Sequence, residues 1–234
     1  MSVRRLGRCL VLALLLCLLP WPAPLRYLPP AYDPLAPLDL AVEPNFLTRF
    51  KLGRFGREPA WCLRRLRTFD AGFPRVEDRP SAVGCPIRDA VRVTGTEVRL
   101  SPSGFVATCP LAAAWVLFER EALQPAARAT LGQAVVGVRH LGSFACRNLY
   151  GRVGARRSEH ATANAVDLAG FVLANGRSVE VVRDWPRVGS AEAAFLRSVH
   201  AGACRFFDVV LGPDHNAAHR DHLHLDMGGH RACR

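Results

Sequence analysis

The apolar positions of the chain follow two rhythms, and the change from one to the other marks the elements. Pro110 to Leu123, PLAAAWVLFEREAL, is apolar at almost every position up to a charged stretch near its end. It follows Thr108 and Cys109 and carries proline in its first turn, where no N–H partner is needed; the pattern predicts a helix. A second helical piece is predicted over Pro125 to Leu131. Ala191 to Ala203 repeats its apolar positions at helical spacing and predicts an amphipathic helix. The other rhythm is that of strands. Gln133 to Cys146 contains VVGVRHLGSFAC and predicts one. Ala165 to Leu173 and Ser178 to Val182 are apolar, β-branched runs around Asn175-Gly176, the signature of a hairpin. Phe206 to Leu211, FFDVVL, reads as a short strand, and His222 to Met227 alternates polar with apolar residues and reads as another. Helices come first, then strands with one helix inserted. That order predicts an α+β fold: a mostly antiparallel sheet with flanking helices.

The first residues belong to neither rhythm. MSVRRLGR is basic, and no charge appears from Cys9 to Leu25. As a helix this run of about 17 residues spans about 25 Å, the lower edge of a membrane crossing. Arginines ahead of it place the N-terminus in the cytoplasm and the rest outside. No small-x-small cleavage site is visible. The expectation is an N-terminal membrane helix over residues 1–25, with a cleaved signal segment and secretion as the alternative. Residues 26–45, RYLPPAYDPLAPLDLAVEPN, are proline-rich and predict an extended tether. The globular domain is expected over 46–234, outside the inner membrane in the periplasm.

Half of the 234 residues are apolar, enough for a sizeable core, and the formal charge is +11. Of the 31 basic residues only Lys51 is lysine. A basic chain favours anionic partners. With the chain exported, nucleic acid drops out and anionic wall or membrane remains. Apart from Cys9 and Cys17 in the apolar segment, the cysteines are Cys62, Cys85, Cys109, Cys146, Cys204 and Cys233. An even number on the exported side predicts disulfides. Cys62 with Cys85 is the pair suggested by sequence proximity; the rest of the pairing is not readable. No CxxC occurs, which argues against a cysteine zinc knuckle, and no GxSxG elbow supports a serine hydrolase.

Two stretches carry candidate chemistry. In HRDHLHLD, His219 to Asp226, strand alternation would turn Leu223 and Leu225 to the core and set His222, His224 and Asp226 on the opposite face. Two imidazoles on one face can approach one metal, although a solvated edge strand has the same pattern. The other stretch is SEHATANAVD, Ser158 to Asp167. On a continuous helix His160 and Asp167 would share a face but lie about 10 Å apart along the axis. On a continuous strand they would face opposite ways. Both can bind one ion only if the chain turns between them, and the small residues Ala161 to Ala165 permit that turn. Taken alone, Ser158 and His160 fit a helix N-terminal cluster and Asp167 a strand start.

Taken together, the stretches resemble a known family. SEHATANAVD is similar to the SxHxxGxAxD motif of zinc metallopeptidases that include D-alanyl-D-alanine carboxypeptidases and dipeptidases, murein endopeptidases and the hedgehog signalling domain. DHLH, Asp221 to His224, resembles their second motif, an acid ahead of a ligand histidine. GSFACR, SEHATANAVDLAGF and LGPDHNAAHRDHLHLD resemble more closely the bacterial extensin-like C-terminal domain family, over about residues 45 to 230. The resemblance implies a hedgehog/D,D-peptidase-like zinc-site fold. It implies His160, Asp167 and His224 as ligands of one Zn2+, Asp221 as general base, and His222 as the non-ligand member of the HxH pair. Arg147 falls near an arginine that binds a substrate carbonyl or carboxylate. The implied substrate is a peptidoglycan peptide. The alternative is a wall-binding or interaction module that keeps the fold without hydrolysis. A structural zinc, its fourth position closed by His222, is a third reading. The motif glycine is Ala163 here; if that position needs a positive φ, alanine costs about 1 kcal/mol or more.

Other residues receive plainer readings. His215 and His219 are expected at the rim of the site. Asp226 either orients a histidine or is a solvated charge, and Ser158 is expected to cap the turn.

Overall fold

The computed structural model describes residues 28–69, 73–94 and 97–234. The N-terminal membrane helix expected over residues 1–25 lies outside these. No helix among the described residues is long and apolar enough to cross a membrane. The chain divides into a unit ending at Pro37 and a compact domain from Leu38 to Arg234. In the first unit, residues 28–37 form turns, with the Asp33 carboxylate accepting the Leu35 N–H. The domain begins before the expected boundary at residue 46. Leu38 and Leu40 are already buried, and the Arg120 guanidinium donates to the carbonyls of Leu40 and Val42. From Leu38 onward the proline-rich stretch is therefore part of the domain and not a free tether.

The fold is mixed α+β. Two helices, α1 (Thr48–Phe55) and α2 (Pro59–Thr68), open it. Strands β1 (Ala90–Val93) and β3 (Phe105–Thr108) form a small antiparallel sheet. Strand β2 (Arg99–Ser101) instead joins the large sheet. The apolar run from Pro110 becomes α3 (Cys109–Phe118), which passes through a π turn (Glu119–Leu123) into α4 (Gln124–Leu131). The two predicted helical pieces are thus one continuous element. Pro125 has no N–H to return to the preceding turn, consistent with a widened turn there.

The remaining strands are β4 (Val135–Gly142), β5 (Ala165–Leu173), β6 (Ser178–Glu180), β7 (Val209–Leu211), β8 (Leu223–Asp226) and β9 (Ala232–Cys233). A short helix, α5 (Val181–Asp184), follows β6, and α6 (Ala191–Ala203) precedes β7. The sheet order is β2-β4-β5-β8-β7-β9, with β6 also on β5. Only the β2–β4 and β7–β9 pairs are parallel, so the sheet is mostly antiparallel, as the pattern predicts. The second strand of the hairpin stops early because the Asp184 carboxylate captures the Glu180 N–H and starts α5. Phe206 and Phe207, expected in a strand, lie in the turn after α6 and fill the core.

Strand alternation separates the two faces of the sheet. Leu168, Leu223, Leu225 and Val210 are fully buried, on the side packed by helices. There Phe118 meets Phe207 with ring centroids 5.6 Å apart, and Phe171 meets Phe195 at 5.2 Å. Asp167, His224 and Leu211 sit on the other face, which leaves that face for chemistry.

Among the described residues three disulfides close the fold, and they overturn the Cys62–Cys85 pairing. Cys62 joins Cys109, tying α2 to α3; Cys85 joins Cys146; Cys204 joins Cys233, tying α6 to β9. Cys62 faces the core from its helix while Cys85 sits in a separate loop. Proximity in sequence says little once a helix end and a turn intervene.

Glu119 gives the domain a pH signature. Its side chain is 2 % exposed, and its Oε1 accepts the N–H groups of Glu97 (2.7 Å) and Val98 (2.9 Å) at the entry to β2. Burial outweighs these bonds and pushes its pKa from 4.5 up to about 7. A carboxyl with a raised folded-state pKa contributes fully below its unfolded value and loses that contribution as pH rises through the folded value. Stability is therefore expected to fall between about pH 4.5 and 7, by roughly 3 kcal/mol from this group. Urea melts across that window check it: Glu119→Gln should flatten the slope, and an unchanged slope would reject the assignment.

Candidate metal centre

The turn that a shared ion between His160 and Asp167 would require is present. A 3-10 turn, Glu159–Thr162, carries His160, and Ser158 caps it by accepting the His160 N–H. Ala163 then takes a left-handed conformation, φ 55° and ψ 35°, and β5 opens at Ala165 and presents Asp167. Left-handed alanine costs about 1 kcal/mol. Its methyl is fully buried against Ile87 and Ala90, and burying one such carbon returns about 0.8 kcal/mol. Ala163→Gly relieves the strain and empties that contact, so its melting temperature is expected within about 2 °C of the parent. A loss several times larger, measured by calorimetry, would mean that the methyl does more than fill the space.

Asp167 lies directly across from His224 on β8, and His160 reaches the same point from the turn. Asp167 Oδ1 is 2.8 Å from His224 Nδ1 and 3.2 Å from His160 Nε2, and the two nitrogens are 3.2 Å apart. Zinc bonds of about 2.0–2.1 Å in tetrahedral array set donors about 3.3 Å apart, so the triangle has the right size. The outer ring nitrogens assign the tautomers. His160 Nδ1–H donates to the Ser143 carbonyl at 3.2 Å, and His224 Nε2–H donates to Asp226 at 3.0 Å. With those protons outward, both inner nitrogens can offer lone pairs to a cation; without one, a proton on His224 Nδ1 bridges to Asp167 instead. The residues therefore fit zinc, and the outer hydrogen bonds would orient the two rings for it.

The titration shifts follow the same geometry. Burial opposes ionisation of Asp167, but bonds to His160 and His224 outweigh it and hold the carboxyl below the usual carboxylate range. Burial would lower the His224 pKa, yet Asp167 and Asp226 outweigh that and hold it at about 9. Asp226 is thus a buried partner of His224 and not a solvated charge.

His222 and Asp221 stand beside this triangle. His222 Nε2 is 3.6 Å from Asp167 Oδ1, and His222 Nδ1 is 2.9 Å from Asp221 Oδ1. The Asp221 side chain is 44 % exposed against 12 % for His222. The imidazole lies between Asp221 and the triangle, and its bond holds the Asp221 carboxyl below the usual range. Arg147 is exposed and lines the same cleft of about 570 Å³, as do Tyr150, Arg156 and Arg234. The Arg147 guanidinium makes no ion pair among the described residues.

His219 differs from the sequence expectation. It is 7 % exposed and not at the rim; its ring centroid lies 5.3 Å from that of His222 and 5.8 Å from that of His224. Asn216 Oδ1 takes its Nδ1–H at 2.9 Å, and Asn216 also donates to the Tyr150 hydroxyl. Burial, aided by the neighbouring histidines, lowers its pKa to about 4. The Asn216 cap of the 3-10 turn Ala217–His219 is what turns this histidine inward, and an asparagine ahead of small residues was the signal available in the sequence. Tyr150, with a left-handed φ of 54°, carried no such signal. His200, Cys204 and Cys233 also bring donor atoms together, but the disulfide takes both sulfurs out of metal ligation.

Residues 60–234 match the family model described as extensin-like protein C-terminus. No curated protein and no solved structure matches the chain.

Proposed function

The chain belongs to the extensin-like protein C-terminus family, and within it we propose a zinc-dependent peptidase acting on peptidoglycan peptides in the periplasm, held at the inner membrane by its N-terminal segment. The observation that carries the proposal is the triangle of His160, Asp167 and His224, with donors 2.8–3.2 Å apart beside the His222–Asp221 pair. The resemblance of these stretches to the D,D-peptidase and hedgehog-type zinc site supports the same reading. The three disulfides support an oxidising compartment.

His160 Nε2, Asp167 and His224 Nδ1 would hold the ion. Zinc held there supplies a Lewis acid that polarises a carbonyl and acidifies water. The protein supplies the rest. His222 Nε2 accepts the proton of the attacking water, while Asp221 receives the Nδ1–H and stabilises the imidazolium. The same imidazole returns the proton to the leaving amine. In this reading His222 is the general base, in place of the Asp221 that the resemblance implied, and Asp221 orients and stabilises it. Arg147 holds a substrate carbonyl or carboxylate from the cleft wall.

The test is release of new amines from purified peptidoglycan by the oxidised, zinc-loaded protein. Release abolished by chelation and restored by zinc is expected. Binding to sacculi with no new amines would overturn the peptidase reading in favour of a wall-binding module.

A further inference from the structure

We propose that Arg234 selects the substrate: the cleft takes a peptide bearing a carboxylate about three residues from the cut bond, and Arg234 grips that carboxylate. This rests on the peptidase reading above and adds a substrate class to it.

The sheet register carries the inference. Asp167 pairs with His224, and His224 with Leu211. The parallel pairing of Val209 with Ala232 and Val210 with Cys233 brings the following residue, Arg234, beside Leu211. Residues directly opposed on neighbouring strands share a face, so Asp167, His224, Leu211 and Arg234 form one row across four strands. All four line the cleft. Strands lie about 4.8 Å apart, which puts the Arg234 backbone about 10 Å from that of His224. Extended peptide rises about 3.3 Å per residue, so that distance spans about three residues.

The floor between is apolar. Val209, Leu211 and Ala232 are half-buried there. At the end of the row a cation is waiting. The Arg234 backbone is anchored: its N–H donates to the Val210 carbonyl at 2.9 Å, and its carbonyl accepts from Gly212 at 2.8 Å and from His200 Nε2 at 3.0 Å. The Cys204–Cys233 disulfide pins the preceding residue. The guanidinium makes no ion pair among the described residues and is available to a ligand. It is thus an exposed cation on a held backbone in the same cleft as the metal centre, which suits it to grip substrate.

The experiment compares peptidoglycan peptides with free carboxylates against the same peptides with those carboxylates amidated, using the full zinc-loaded protein. The parent is expected to prefer the free acids by roughly tenfold or more in kcat/KM, mainly through KM, as loss of one charge-assisted bond predicts. Arg234→Gln should bring the ratio close to one with zinc content unchanged, and Arg234→Lys should keep part of it. Equal rates on both series by the parent, or an unchanged preference in Arg234→Gln, would overturn the assignment while leaving the peptidase intact. Absence of cleavage in both series, with zinc bound, would overturn the peptidase reading itself and this inference with it.

Discussion

His224→Ala is expected to empty the metal centre. The parent, oxidised and free of affinity tags, should carry about one zinc per chain, and the variant almost none. Replacing a residue that only orients a ligand weakens metal binding by about 10–100-fold; removing a ligand atom from a set of three should exceed that range. Asp226→Asn supplies the intermediate case. It leaves His224 in place but weakens the bond at Nε2, so zinc should bind about 10–100-fold more weakly and still reach one per chain at saturation. The loss should also appear in melting. Zinc at a hundredfold excess over its Kd stabilises the parent by about 2.7 kcal/mol, and His224→Ala should lose that response while keeping its three disulfides. Full zinc occupancy in His224→Ala would remove the central support for the site.

The second large effect is expected at His222. His222→Ala should lower kcat on peptidoglycan peptides by roughly 10²–10⁴, the range for a positioned proton-transfer group, with zinc content unchanged. Asp221→Asn should be milder, because the amide still accepts the Nδ1–H while no longer stabilising the imidazolium with a full charge. The order of the two effects decides between the roles. If Asp221→Ala abolished turnover and His222→Ala hardly changed it, Asp221 would act on water directly. Loss of zinc in His222→Ala would make His222 a fourth ligand and the zinc structural.

Some of this was legible along the chain because it is local. The helix from Pro110 follows from a long apolar run with proline at its start, and the hairpin from Asn175-Gly176 between β-branched runs. The division of HRDHLHLD also follows from alternation alone: Leu223 and Leu225 in the core, His224 and Asp226 on the other face. Even the strain at Ala163 could be foreseen, since alanine stands where the motif it resembles has glycine. The structure adds why alanine is tolerated there, through Ile87 and Ala90, which come from a distant part of the sequence.

What the sequence by itself determined is therefore the class of fold and the face of β8 that carries His224 and Asp226, encoded in periods of a few residues, while the candidate donor set was implied by the resemblance of two motifs. Only the tertiary structure decided which cysteines meet, that the proline-rich stretch joins the domain at Leu38, that His219 is buried, that His222 stands between Asp221 and Asp167, and that Arg234 shares a row with His224. Each of these depends on strand register or loop packing between residues far apart in the chain. A one-residue slip in register would turn Asp167 to the opposite face, and no local pattern records which register the assembled sheet adopts.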